Sequence, residues 1–179
     1  MTNTDNNYLD PESALSRFKK PENLLINEHA EGKKKAINRY GFIVENIGLL
    51  ISENTLSEVV RNKNICSLPN TKRWMKGLIN IRGNLVPVYD LSLLLGLTSE
   101  DSSYNNILVL GKGSRSVAVV IEGLPRPCDV SDWNKMTDFP CDITGLKDHI
   151  IEVYMSGEIV WMDFNQHSFF ESIKRQVVM

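Results

Sequence analysis

The amino-acid sequence predicts a mostly β protein built from small, closed barrels. Three observations predict this class. Short apolar runs alternate with glycine, asparagine and proline turn residues through most of the chain. No amphipathic helical stretches of about 10–15 residues separate these runs, which argues against a parallel sheet. A set of strands followed by a short helix is succeeded by a second, comparable set, and closing each set into a barrel would remove free sheet edges.

The first half of the chain contains a series of strand-like runs. Asn46-Ile47-Gly48 predicts a hairpin turn between the first two of them. The runs are Tyr40–Glu45, Gly48–Ser52, Leu56–Arg61, Ile65–Leu68, Leu78–Ile81 and Leu85–Tyr89. Thr71–Lys76 predicts a single helical turn. Pro87 predicts an edge or bulge position for its part of the last strand, because proline has no N–H to donate to a sheet.

A short helix is predicted directly after these strands. Asp90 has the right chemistry for an N-cap, and the apolar run Leu91–Leu95 follows it. Gly96 then suits the position just past the helix end, where a left-handed backbone is common.

The second half repeats the strand pattern after the polar segment Thr98–Asn105. Strands are predicted at Asn106–Leu110, Ser116–Glu122, Pro125–Val130, Ile150–Met155 and Glu158–Met162. Residues 131–147 show little periodicity and predict no regular element. The segment Phe164–Val177 predicts a terminal helix, because its apolar residues recur every four positions.

Residues 1–38 differ from the rest of the chain. Their apolar side chains are too many for a flexible tail and too sparse for a core, so we expect a partly ordered N-terminal extension. Residues 39–179 are predicted to form the folded domain.

Composition narrows the classes of function. Of the 179 residues, 42% are hydrophobic and 23% are charged, which is typical of a soluble globular protein. A net charge of -2 argues against nucleic acid or an anionic membrane as the main partner. No apolar run approaches the ~18 residues needed to cross a bilayer, so no direct membrane insertion is expected. The first residues lack the pattern of a secretion signal, which favours a cytoplasmic protein.

The metal- and disulfide-forming residues are few and scattered. The chain has 3 cysteines and 3 histidines, without Cys-x-x-Cys or His-x-x-x-His spacing. A disulfide framework would need an even, dense set of cysteines, and zinc sites usually show such spacing. The sequence therefore predicts reduced cysteines and neither a metal site nor a cofactor.

Arg82 is the most informative candidate for a functional residue. It precedes Gly83 on a tight turn between the apolar runs Leu78–Ile81 and Leu85–Tyr89. Arginine is enriched at interface hot spots, so we expect Arg82 to contact a partner protein. Two alternatives are a solvated turn residue and an internal salt bridge, for which Glu58 is the candidate partner.

Catalytic signals are weak. The sequence has no Gly-x-Ser-x-Gly motif and no cluster of metal-ligand residues, so no catalytic residue is predicted. An alternative is a small β-barrel enzyme whose acidic site uses Asp129, Asp132, Asp138 and Asp142, although acids in a polar loop are normally just solvated. A second alternative is a nucleic-acid-binding SH3-like barrel, which the charge balance disfavours.

A longer stretch carries a family resemblance. Residues 77–91 read Gly-Leu-Ile-Asn-Ile-Arg-Gly-Asn-Leu-Val-Pro-Val-Tyr-Asp-Leu, and Leu-Ser-Glu-Val-Val occupies residues 56–60. With these motifs the chain resembles the CheW-like adaptor domain of bacterial chemosensory systems. Trp74 and the extension before Arg39 are more similar to the PilI branch, which serves type IV pilus twitching systems.

The resemblance implies a particular architecture. It implies two intertwined, five-stranded SH3-like barrels with short helices, a C-terminal helix and no catalytic activity. The first barrel would comprise residues 39–97 with contributions from the C-terminal part of the chain. The second would comprise residues 106–163, and the C-terminal helix residues 164–177.

The resemblance also implies partners. Members of the family bridge a methyl-accepting chemoreceptor and a CheA-type histidine kinase, so the protein would be cytoplasmic and recruited to membrane receptor arrays. The family's motif arginine matches Arg82, and its acidic strand position matches Glu58. Val59, Asn80 and Gly83 complete the predicted partner-binding set. Residues 125–128 and 149–153 depart from the family pattern, so no contacts are carried over to the second half.

Overall fold

The computed structural model describes residues 38–61, 64–98, 106–137, 143 and 145–177. These residues all belong to one compact unit. The predicted extension, residues 1–38, lies outside the described part of the chain except for its last residue.

The first sheet has six strands. Its members run in the spatial order β8-β1-β2-β11-β10-β9, and all neighbours are antiparallel except β2 and β11. The strands are β1 (Asn38–Val44), β2 (Ile47–Leu50), β8 (Arg126–Asp129), β9 (Asn134–Met136), β10 (Ile150–Ser156) and β11 (Ile159–Phe164).

The second sheet has five strands. Their order is β3-β6-β7-β5-β4, with β5 and β7 parallel and the other neighbours antiparallel. The strands are β3 (Ser57–Arg61), β4 (Met75–Ile81), β5 (Asn84–Tyr89), β6 (Asn106–Leu110) and β7 (Val117–Ile121).

Two short α-helices complete the described fold, α1 (Leu91–Leu94) and α2 (Gln166–Lys174). The carboxylate of Asp90 accepts a hydrogen bond from the Leu93 N–H at 3.2 Å, as predicted for an N-cap. Gly96 has φ 69°, the left-handed conformation expected just past a helix end. Asn165 caps α2 in the same way as Asp90 caps α1.

The predicted fold class is confirmed: the protein is mostly β, with two curled sheets and few helices. The sheets are intertwined, because the described chain runs through β1 and β2 of the six-stranded sheet, crosses to the five-stranded one and then returns. The expectation of five strands in each unit is wrong for one sheet. The additional strand in that sheet is β9, which lies within residues 131–147. It is too short to show the alternation of apolar and polar residues that identifies a strand.

The assignment of strands to units also needs correction. Residues 39–97 do not form one sheet, since β1 and β2 pair with β8 and β11 instead. Residues 106–163 are likewise divided, because β6 and β7 join β3 and β5. Pairing between strands that are far apart in sequence leaves no local pattern. The order of the strands along the chain therefore does not predict which strands share a sheet.

Two local predictions between β3 and β4 differ from the structure. The run Ile65–Leu68 forms only an isolated bridge, from Cys66 to Leu78, rather than a strand. The predicted helical turn over Thr71–Lys76 is reduced to one hydrogen-bonded turn, from the Met75 N–H to the Lys72 carbonyl at 2.9 Å, because Met75 is buried and starts β4, paired with Tyr89. Tertiary pairing here overrides weak local helix propensity.

Pro87 occupies a position where its missing N–H does no harm. It lies opposite Leu78 of β4, but β5 pairs with β7 only at Val88 and Tyr89. The part of β5 that contains Pro87 is therefore paired on one side only, like an edge strand.

The five-stranded sheet has an apolar side chain layer on each face. Its inner face encloses a small core, here called the inner core, which contains Ile79, Val86, Val88, Ile107, Val109, Ala118 and Val120. Its outer face packs into a larger main core shared with the six-stranded sheet and α2. The alternation of side chains along each strand separates the two cores.

A buried ion pair fastens the six-stranded sheet. The guanidinium of Arg39 in β1 reaches across β2 and binds the carboxylate of Asp163 in β11 through two hydrogen bonds, at 2.5 and 2.9 Å. It also donates to the carbonyl of Ile51 at 3.1 Å. The Asp163 carboxylate raises the pKa of Arg39, because it accepts hydrogen bonds from the guanidinium and attracts its charge.

Candidate functional site

The turn between β4 and β5 holds Arg82 in an unusual backbone conformation. Ile81 and Asn84 pair across a two-residue loop, and both loop residues have positive φ, 50° for Arg82 and 85° for Gly83. This is the signature of a type I′ hairpin turn, which favours asparagine or glycine at the first position. Arginine is uncommon there, and such outliers are often found at functional sites.

Neighbouring asparagines fix the turn. The side-chain oxygen of Asn80 accepts a hydrogen bond from the Gly83 N–H at 2.9 Å. Asn84 donates from its side chain to the carbonyl of Ile81 at 3.4 Å. The backbone that carries Arg82 is therefore restrained from both strands, while its side chain remains 79% exposed.

Glu58 is the ion-pair partner of Arg82. Its Oε2 lies 2.5 Å from the Arg82 Nη2, and the Glu58 side chain is 33% exposed. Glu58 lies in β3 and Arg82 follows β4, and these strands are the two edges of the five-stranded sheet. The sheet is therefore curled far enough to bring its edges together, as a barrel requires.

A backbone pair makes a second contact between the edges. Cys66, which follows β3, exchanges two hydrogen bonds with Leu78 of β4, at 2.8 and 2.9 Å. The neighbouring Gly77 has φ 137°, and a Cβ at this position would lie 2.2 Å from the Cys66 carbonyl oxygen. Only glycine allows this approach.

The structure brings most of the predicted set together. Arg82, Gly83 and Asn80 form one turn, and Glu58 reaches it across the sheet edge. Val59 is different, because it packs partly buried against the main core on the other face of β3. It follows that Val59 lies on the far side of the sheet from the ion pair.

Two exposed leucines close in sequence to Arg82 and Glu58 were not singled out by the sequence. Leu85, opposite Asn80 in the hairpin, is 69% exposed although its run predicted a core strand. Leu56, just before β3, is 62% exposed. Exposed apolar residues next to a charged anchor are the usual composition of a protein-binding patch.

A cleft opens at the same end of the five-stranded sheet. Its volume is about 470 Å³, and it reaches the inner core at Val86 and Val109. Glu58 and Arg82 line its rim together with Leu56. Apolar walls with a charged rim can accept a side chain of a partner protein. We call this the Arg82 cleft.

The acidic residues suggested as an enzyme site do not form a cluster that can be described. The Asp129 carboxylate accepts hydrogen bonds from the N–H and hydroxyl of Ser131, which lower its pKa. Asp138 and Asp142 lie outside the described residues. Among the residues that are described, no group of three or more His, Cys, Asp or Glu side chains could hold a metal ion. No helix in this part of the chain is long and apolar enough to span a membrane.

Comparison with known proteins identifies a family. A family model described as the CheW-like domain matches residues 41–138. The chain is 22% identical over 107 residues to a chemotaxis protein CheW of Thermotoga maritima, which covers 60% of this chain and 67% of the relative. It is 23% identical over 160 residues to a chemotaxis protein CheW of Helicobacter pylori, covering 82% of this chain and 95% of the relative.

A solved structure shares the fold. The crystal structure of the scaffolding protein TtCheW from Thermoanaerobacter tengcongensis superposes with a TM-score of 0.59 at 18% sequence identity. The superposition covers 76% of this chain and 93% of that one. At this level of identity the likeness concerns the fold.

Proposed function

This chain belongs to the CheW-like domain family, and we propose that it is a non-enzymatic adaptor that couples a methyl-accepting chemoreceptor to a CheA-type histidine kinase. The named relatives are chemotaxis proteins and the structural neighbour is a scaffolding protein, which supports this class of function.

One observation carries the proposal. Arg82 occupies a restrained, strained turn with an exposed guanidinium, on the rim of the Arg82 cleft that the exposed Leu56 also lines. Such an arrangement suits binding, because it offers an arginine anchor with apolar surroundings. Glu58 and Asn80 would position the anchor, and Gly83 would let a partner approach the backbone.

The two sheets suggest how an adaptor could work. They share the main core, so surfaces on both are held in a fixed relation. A partner bound at the five-stranded sheet and another bound elsewhere on the same body would keep a defined distance and orientation. Binding measurements with the receptor and the kinase separately will show which of them occupies the Arg82 cleft.

Reconstitution tests the proposal. The full chain is mixed with the CheA-type kinase and receptor-containing vesicles from the same organism, and kinase autophosphorylation is measured with and without the chain. We expect receptor control of the kinase to require the chain. A chain that binds neither partner, and leaves kinase activity unchanged, would refute the adaptor role.

We further propose that the output is type IV pilus twitching, with the protein cytoplasmic and recruited to membrane receptor arrays. The features that support the PilI branch are Trp74 before the turn hairpin and the extension preceding Arg39. Deletion of the gene should abolish twitching on agar and leave flagellar swimming intact, and a fluorescent fusion should form receptor-dependent foci. Loss of swimming alone would assign the chain to a flagellar pathway.

A further inference from the structure

A second cavity lies beside the Arg82 cleft. It has a volume of about 400 Å³ and is bounded by residues 54–56, by the β6–β7 connection and by the length of α2. Leu56 and Lys112 line both this cavity and the Arg82 cleft, so the two form a continuous surface. We call this second space the α2 cavity.

The rim of the α2 cavity is basic. Lys112, Arg115, His167 and Lys174 all line it and are exposed, and Glu171 is the acidic residue among its lining side chains. Glu171 is already paired with Lys174 at 2.6 Å. Within the described ranges, no carboxylate forms a salt bridge with Lys112 or Arg115. The chain as a whole carries a net charge of -2, so this local excess of cations is specific to the cavity.

Gln166, at the start of α2, contributes a buried side chain to the wall of the cavity. It is 7% exposed and donates from Nε2 to the Leu50 carbonyl at 3.0 Å. Its Oε1 is enclosed by the protein and accepts no hydrogen bond from any described residue. The wall therefore offers a ligand no accessible acceptor at this position.

The floor of the cavity is apolar. Leu110, Val117 and Phe170 line it and are buried, while Leu56 stands at its edge. The cavity thus combines exposed cations with an apolar floor. Small inorganic anions use only the cations, whereas an acidic peptide with an apolar residue uses both features.

We propose that the α2 cavity binds an acidic, partly apolar segment of a partner protein, with its carboxylates at Lys112 and Arg115 and an apolar side chain against the floor. This inference rests on the proposed adaptor function and adds the chemistry of a second contact next to Arg82. Electrostatic complementarity of this kind sets partner choice and the rate of association.

The test compares charge reversals of equal size. K112E/R115E is measured against K72E/K147E, which reverses two exposed lysines elsewhere on the surface. Binding of each variant to the receptor's cytoplasmic fragment and to the kinase's regulatory domain is titrated by calorimetry at low and high salt. Circular dichroism and urea unfolding check that each variant is folded.

We expect K112E/R115E to weaken binding to one of the two fragments at least ~10-fold at low salt, and K72E/K147E to change it less than ~3-fold. The salt dependence of that complex should also flatten in K112E/R115E. Equal losses in both variants, or none in either, would overturn the inference while leaving the adaptor role intact. Failure of the unmodified chain to bind either fragment would overturn both proposals.

A small-anion ligand is the competing occupant. The thermal midpoint of the unmodified chain is therefore measured with inorganic phosphate and with ATP. Stabilisation that is lost in K112E/R115E, with unchanged binding of both protein fragments, would assign the cavity to a small anion and overturn the inference.

Discussion

The guanidinium of Arg82 lies 2.5 Å from the carboxylate of Glu58, and this contact joins the two edge strands of the five-stranded sheet. Exposed ion pairs contribute at most about 1 kcal/mol to stability. Two backbone hydrogen bonds between Cys66 and Leu78 also connect the segment after β3 to β4, and they do not depend on an exposed ion pair. We therefore interpret Glu58 chiefly as the residue that orients Arg82, a role that mutations can separate from stability.

Replacing Arg82 with asparagine should separate binding from folding. Asparagine tolerates the left-handed conformation of a type I′ turn, so Arg82→Asn should change the free energy of unfolding by less than ~0.5 kcal/mol. Loss of the anchor should weaken partner binding by about 2 kcal/mol, or ~30-fold. Urea unfolding and calorimetric titration measure the two quantities. Arg82→Lys is the control that keeps the charge without the planar fork, and an affinity unchanged by Arg82→Asn would remove Arg82 from the binding site.

A double-mutant cycle tests the role of Glu58. For Glu58→Gln and Arg82→Asn, the coupling energy in unfolding should be below ~1 kcal/mol, because the pair is largely exposed. In binding, Glu58→Gln should weaken the complex in the normal background and have no further effect once Arg82 is asparagine. A coupling above ~2 kcal/mol in unfolding would instead make the pair a principal element of sheet closure.

The glycine at position 77 should be essential for closing the five-stranded sheet. Gly77→Ala combines a positive φ with a clash against the Cys66 carbonyl, so a loss of roughly 3 kcal/mol or more is expected. Gly157→Ala is the matched control, because Gly157 also has positive φ but its Cβ would meet nothing within 4 Å. The control should lose only about 1 kcal/mol. Equal losses in the two variants, measured by urea unfolding, would show that the clash is relieved without consequence.

The ion pair between Arg39 and Asp163 should behave as a buried pair. Removing one partner with Asp163→Ala leaves the other charge buried, and about 3–5 kcal/mol of stability should be lost. The apolar double variant Arg39→Met/Asp163→Leu should recover much of that loss, since no unpaired charge remains. Thermal and urea unfolding of both variants check this. A double variant less stable than Asp163→Ala alone would contradict it.

Alkaline pH should destabilise the fold through Tyr89. Burial in the main core raises the pKa of Tyr89 to about 12, with a smaller effect from Glu171, so the folded state favours the neutral phenol. An unfolded tyrosine ionises near pH 10, so the stabilisation is complete below about pH 10 and is lost as pH rises toward 12. In Tyr89→Phe this part of the loss should be absent, whereas the exposed Tyr40→Phe should resemble the unmodified chain. Urea midpoints at about pH 8 and about pH 11 measure the difference, and identical pH dependence in Tyr89→Phe would contradict the assignment.

Some elements followed directly from local pattern. Asn106–Leu110 was predicted with its observed bounds, and Asp90 and Gly96 marked both ends of α1. The turn at Arg82 and Gly83, and Glu58 as its possible ion-pair partner, were also visible in the sequence. The helix ends, the strand and the turn depend on residues that are neighbours along the chain, and Glu58 was suggested by a family motif, so all could be identified without the tertiary structure.

Long-range packing decided the remainder. The partners of β1 and β2, the exposure of Leu85 and the need for glycine at position 77 depend on strands distant in sequence. The α2 cavity arises in the same way, because Lys112 and Arg115 meet α2 only in the folded chain. The sequence alone determined a mostly β fold with an arginine on a tight turn, and its motifs showed the resemblance to the CheW-like family. Only the tertiary structure showed which strands pair near that arginine and which other charged residues lie close to it. The physical reason is that the alternation of apolar and polar residues along a strand indicates which face is buried, but not which other strand it pairs with.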